Sequence, residues 1–400
     1  MLQSRSIRRL LVAASILASA LALAGGSAFA ADKVLKIGVL GVMSGPAASW
    51  GLVNKYCAET SAEMYNAKGG VDIGGTKYKI EIVAIDDKND PKLSVSGAER
   101  LTQQDGIKYI IGPNVDTTAA SIRPVVEKAG AMHFPYAFDK KLYTPPAGNA
   151  VLGMIASYQA GPIIYKYLKE KKGVKSVAFV VRNEADPINQ RKEGVEAAKA
   201  LGLNVVSESD TYEPGTSDFF PVMSKVVKTK PDLIVLSGVA PSDAPLLIKA
   251  GRELGYKGIF STETAQDAKS IAQVAGDKAN GFISVGGAST PAIRSKAMEE
   301  YIAAYTKHVG EWNDEAGTKV YALEIIIATL QKNPKAINDV AEFKKTMATF
   351  QMDNPYVKEK TVLKYVGTAY FTQPRQIGVP MVVNEFSGGD FKTLFVGKVE

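Results

Sequence analysis

The chain has 400 residues, 46% of them hydrophobic, with 48 basic against 41 acidic side chains and a formal charge of +7. That length suits two domains of ordinary size, and the mixture of apolar and charged residues excludes a disordered or fibrous chain. The charge is too mild to point to nucleic acid, and the one cysteine, Cys57, excludes an internal disulfide.

In chain order, Arg5, Arg8 and Arg9 precede the uncharged run LLVAASILASALALAGG, and Ala28-Phe29-Ala30 follows as a small-x-small site. This pattern predicts a secretory signal peptide over residues 1–30, cleaved after Ala30. The apolar run is shorter than the ~20 residues of a membrane span, and no cysteine stands at the cleavage point to carry a lipid. Without the three arginines the balance becomes 45 basic to 41 acidic residues, or +4.

From Val34 onward short β-rich runs alternate with helical spacing. VLKIGVL, KIEIVAI, KYIIG, AMHFPYA, SVAFVV, NVVSES, DLIVLS and GFISVG predict strands. Between them the apolar spacing predicts helices over 50–67, 91–104, 117–129, 158–172, 190–201, 218–227 and 242–254. Val53, Cys57 and Met64 share a face of the first helix, so Cys57 reads as a core residue. After Gly281 come helical patterns over 295–308, 314–331 and 340–350, then the β-like pieces VLKYVG, GVPMVV and KTLFVG. Strands alternating with helices predict an α/β fold with parallel sheets covered on both faces, which bind ligands beyond the carboxyl ends of the strands. Roughly eight strands favour two lobes over one sheet, with the natural break after Gly148-Asn149-Ala150.

LKIGVLGVMSGPAASWG (35–51), YNAKGGVDIGG (65–75) and DDKNDPKLSVSGAERLTQQDGIKYIIGP (86–113) resemble, in order and spacing, the periplasmic substrate-binding proteins of branched-chain amino acid ABC transporters. The likeness continues more weakly through RELGYKGIF and IAQVAG to about Gly286. It implies a type I periplasmic binding protein fold: two doubly wound lobes joined by three crossovers, closing on a small ligand like a hinge. Carried onto this chain, one lobe is 34–153 with 284–358 and the other is 154–283 with 359–400. It also implies a monomer that delivers its ligand to an ABC transporter permease, without a cofactor.

The same resemblance nominates site residues. Trp50 matches an aromatic cleft position; a tryptophan there either stacks on ligand or staples the helix beneath it. Asn114-Val115-Asp116-Thr117-Thr118 stands where family hydroxyls and helix amides hold the ligand carboxylate. Thr117 and Thr118 suit that role. Asp116 replaces a serine and would repel an anion, so it either caps the helix or accepts a hydrogen bond from ligand. Tyr136, Ala137 and Phe138 occupy a loop where the family has a small residue and a clamping threonine; the bulkier rings either fill a core gap between loop and sheet or line a cleft for a flatter ligand than leucine. From the second lobe, Arg182 could grip a carboxylate bidentately or stand as a solvated charge at a strand end, with Asn183 beside it. Glu263 lies near the place of an acid that meets the ligand ammonium. An aromatic or other carboxylate is therefore the expected ligand.

Two other classes compete. A secreted α/β enzyme would need a nucleophile with a base, a metal cluster or a cofactor loop, and no G-x-G-x-x-G, P-loop or G-x-S-x-G motif occurs. The two histidines, His133 and His308, are far apart in sequence, and His133 reads as a core residue near the cleft. A ligand sensor would need a separate receptor partner.

Overall fold

A computed structural model describes residues 33–397, and those from Val34 onward form one compact unit. The expected signal peptide lies outside the described residues. Among the described residues no helix is long and apolar enough to cross a membrane.

The strand Lys33–Gly41 is buried without a break from Ile37 to Gly41, as a strand covered on both faces must be. It pairs in parallel with Tyr109–Ile111, which pairs in parallel with Met132–Phe134. Thr76–Asp86 and the short antiparallel strand Val71–Ile73 complete a five-stranded sheet on the other side. The second sheet has seven strands. Its parallel core runs in the order Ile283–Gly286, Ile259–Ala265, Leu233–Ser237, Ser176–Arg182, Asn204–Tyr212. Met381–Ser387 and Asp390–Gly397 add an antiparallel edge beside Ile283–Gly286. The expected α/β fold with two doubly wound, parallel-rich lobes is the one observed.

The chain crosses between sheets later than the resemblance implied. Ile283–Gly286 pairs entirely within the second sheet, so a boundary at 284 would cut a strand. The piece VLKYVG, expected in the second lobe, is the middle strand Val362–Val366 of a small antiparallel sheet with Gln351–Asp353 and Gln376–Ile377. Its Tyr365 packs against Phe343 and Phe350 and meets the Thr329 hydroxyl at 2.8 Å, which ties it to the helices of the first lobe. A boundary at 359 would separate this strand from its partner Gln351–Asp353 and from those helices.

One expected helix is two elements. Residues 314–331 divide into a 3₁₀ turn, Asp314–Thr318, and the helix Tyr321–Lys332. The crossover backbone presses against this break: a Cβ on Gly287 would lie 2.1 Å from the Gly317 carbonyl carbon, and the Ala288 amide donates to the Gly317 carbonyl at 2.8 Å.

In the first core Phe343 meets Tyr109 and Phe134, with ring centroids 4.9 and 6.1 Å away. Cys57 is buried there, and burial pushes its thiol up to about 12, so it stays protonated at neutral pH. His133 is fully buried in its strand, and burial, with the charge of Arg123, pulls it down to about 3. It is a neutral core histidine.

Candidate functional site

The cleft forms where the first sheet's strand ends feed their loops and helices toward those of the second. After Lys33–Gly41 the chain turns into the helix Ala48–Ala67 at very close range. The Gly51 amide donates to the Val42 carbonyl at 3.0 Å, and a Cβ on Gly51 would stand 2.1 Å from that oxygen. This contact sets Trp50 at the cavity wall. The Trp50 carbonyl accepts from Asn114 Nδ2 at 3.1 Å and from Lys319 Nζ at 3.2 Å. Lys319 also pairs with Glu315 at 3.2 Å, both side chains being almost wholly buried, and Ser49 Oγ donates to Glu315 at 2.5 Å. A buried pair of this kind needs such added hydrogen bonds to offset its desolvation. Lys319 Nζ lies 6.0 Å above the centre of the Tyr136 ring.

The cavity is about 50 Å³, so the lobes are drawn closely around it. The first lobe supplies Trp50, Asn114, Val115, Asp116, Tyr136, Ala137 and Phe138, and Met154 follows at the first crossover. Arg182, Glu184, Asp186, Pro187, Gln190, Gly238, Thr264 and Ala265 face them from the second lobe. Glu315, Thr318 and Lys319 close the side near the broken helix.

Of the residues nominated from sequence, Trp50, Asp116, Tyr136, Ala137, Phe138 and Arg182 are brought to this cavity. Four are not. Thr117 is exposed, and Thr118 is buried with its hydroxyl donating to the Val115 carbonyl at 3.0 Å, so neither hydroxyl faces the cavity. Asn183 is exposed and bonds Glu213 at 2.8 Å. Glu263 points the opposite way from Thr264, as alternate strand residues do, into the lobe beneath, where it accepts from the Tyr165 hydroxyl and from Ser237 Oγ at 3.3 Å.

Burial raises the Glu263 carboxyl to about 7 from an ordinary 4.5. A folded value above the unfolded one means the native state holds the extra proton. Its contribution to stability is full below pH 4.5 and is lost as pH rises to about 7. Glu263→Gln is therefore expected to flatten the fall in urea midpoint across that window, while parallel curves for the two proteins would refute the assignment.

Asp116 is not a cap. Val115 occupies the N-cap position and Asp116 is the first residue of the helix Asp116–Lys128. Its carboxylate accepts instead from the amides of Phe138 at 2.5 Å and Asp139 at 3.0 Å, fixing the aromatic loop. The amide of Asp116 donates across the cleft to Asp186 Oδ2 at 2.7 Å. A carboxylate of the second lobe thus occupies the helix end where an anion would bind. Burial raises both Asp116 and Asp186 above the usual carboxylate range, the charge of Asp116 adding to the effect on Asp186. Arg182 is buried with Nε 2.5 Å from Glu184, so its charge is met within the protein. Two further contacts bridge the lobes: Lys140 with Glu193 at 2.8 Å, and Ser242 Oγ with the Pro46 carbonyl at 3.1 Å.

Sequence reasoning missed Met154, Asp186, Pro187, Gln190, Ala265, Glu315, Thr318 and Lys319 as site residues. A usable signal existed for two groups. Glu315 and Lys319 stand at i,i+4 with opposite charge beside Gly317, and Asp186 precedes Pro187 just after a strand end.

Residues 34–376 match the family described as periplasmic binding protein. The chain belongs to that family, whose members act as substrate-binding proteins of ABC transporters. It is 27% identical over 346 residues to the Leu/Ile/Val-binding protein of Escherichia coli K12, covering 85% of this chain and 89% of that one. Its fold is similar to that of the branched-chain amino acid transporter substrate-binding protein LivJ from Streptococcus pneumoniae, solved with isoleucine. The TM-score is 0.77 at 20% identity, covering 92% of this chain and 100% of that one. A solute-binding protein of an ABC transporter from R. palustris, solved with 4-hydroxybenzoate, gives a TM-score of 0.73 at 20% identity, covering 92% and 97%.

Proposed function

We propose that this protein captures a small solute in the periplasm between its two lobes and presents the closed form to an ABC transporter permease. The lobes are assigned as 33–152 with 287–377, and 154–286 with 379–397, so that no strand is divided. The observation that carries the reading is the cavity itself, built by loops at the strand ends of both sheets and closed over by hydrogen bonds between the lobes. Closure expels water, which strengthens every polar contact inside and couples ligand binding to hinge position. Trp50, Tyr136 and Phe138 support a ligand with a flat or bulky apolar body. The relatives named above, one called a Leu/Ile/Val binder and two solved with isoleucine or 4-hydroxybenzoate, support a ligand of that size.

The test is a thermal-shift screen of refolded protein against branched-chain amino acids, aromatic acids, amides, amines and polyols. A ligand at a hundred times its Kd stabilises by about 2.7 kcal/mol. The cleft ligand should produce such a shift, and Trp50→Ala should weaken it at least tenfold while leaving the ligand-free melting point nearly unchanged. Absence of any shift across the panel would refute solute capture.

A further inference from the structure

The charges around the cavity do not balance. Four carboxylates line it, Asp116, Glu184, Asp186 and Glu315, against two cations, Arg182 and Lys319. Each cation is already satisfied, Arg182 by Glu184 and Lys319 by Glu315 and the Trp50 carbonyl. Asp116 and Asp186 face one another across the cleft with hydrogen bonds from backbone amides but no cationic partner. One further cavity-lining residue, Gln190, has a side-chain oxygen, Oε1, buried without a partner among the described residues. The wall therefore offers acceptors and negative charge, and a buried acceptor left unmet costs free energy that a donor recovers.

Resting on the capture function proposed above, we propose that the cleft selects a small organic cation, an amine or amidine on a flat apolar body, whose N–H groups are received between Asp116 and Asp186. The apolar body lies against Trp50, Tyr136 and Phe138, and the cation takes the place that a ligand carboxylate would need. A carboxylate is disfavoured twice over. The end of the helix Asp116–Lys128 already holds Asp186, and the cation nearest the second lobe's wall, Arg182, would have to release Glu184. Other groups that face the pair are Asp139, Glu184 and Glu193 among the acids, the last neutralised by Lys140, with the hydroxyls of Tyr143 and Tyr158. None of these supplies an unpaired positive charge.

Three probes of one shape separate the possibilities: benzamidine, benzamide and benzoate, titrated calorimetrically into the refolded full chain, with leucine alongside. The expected order is benzamidine, then benzamide, then benzoate, with benzamidine at least tenfold tighter than benzoate. Benzamidine keeps its charge between pH 8 and 5, so its affinity should fall across that range as the two carboxyls take up protons. Asp186→Asn keeps an acceptor for the Asp116 amide and should reduce the preference for benzamidine over benzoate at least tenfold. Asp116→Asn, which risks the aromatic loop, serves as the second variant and should act in the same direction. Tighter binding of benzoate or leucine would overturn the cation assignment while leaving solute capture intact. If none of the four probes binds, and the broader panel is equally silent, the assignment falls together with the capture function.

Discussion

Lys319→Met should be among the most damaging single changes in this protein, lowering stability by roughly 3–5 kcal/mol, the range for removing one partner of a buried ion pair. The methionine fills similar volume, so little of the loss comes from packing. What is lost is the partner of Glu315, which is 2% exposed and would keep only Ser49 Oγ as a close donor. The Trp50 carbonyl would lose one of its two donors as well. The expected readout is a large drop in urea midpoint together with weakened ligand binding, because the Trp50 carbonyl and the Tyr136 ring both lose the lysine ammonium beside them. The double change Lys319→Met with Glu315→Gln should recover most of the stability, since no uncompensated charge is then buried. A double variant as unstable as the single one would show that shape, and not charge, is what Lys319 contributes.

Gly51→Ala should cost about 3 kcal/mol, the upper end of the penalty for overpacking, although it adds one methyl group. The obstacle is backbone. The new Cβ would meet the Val42 carbonyl oxygen at 2.1 Å and its carbon at 2.6 Å, and neither can rotate away as a side chain would. The start of the helix must retreat from the strand, taking the Trp50 carbonyl off Asn114 and Lys319. Chemical denaturation should report the lost stability, and the tryptophan emission should shift with the changed surroundings of Trp50. A variant that unfolds at the native midpoint would mean the turn relaxes more freely than this contact allows.

Much of the fold was legible because hydrophobic period is a local property. Runs such as LIVLS, buried at every position, can only be interior strands, and the alternation with helices set the class. The cleft was legible in part for the same reason: Trp50 and the 136–138 loop follow strands whose ends were plain. What escaped was decided by partners far along the chain. Asp116 looks like a cap from its neighbours alone, yet its carboxylate is claimed by amides 22 and 23 residues away. Glu263 and Thr264 differ only in parity, and a slip of one residue in alignment exchanges the cavity face for the core face. Glu315 and Lys319 were hidden inside an expected helix because the break near Gly317 depends on a crossover strand pressing from outside.

The interleaved path of the chain also has a consequence for the order in which the molecule assembles. The first sheet is complete in strands by Phe134, yet its aromatic core waits for Phe343 and Tyr365, and the second sheet lacks an edge until residues 381–397 arrive. Neither half can close early on its own segment. Contacts of such long sequence separation make folding slow, so a nascent chain stays open until nearly all of it has been delivered.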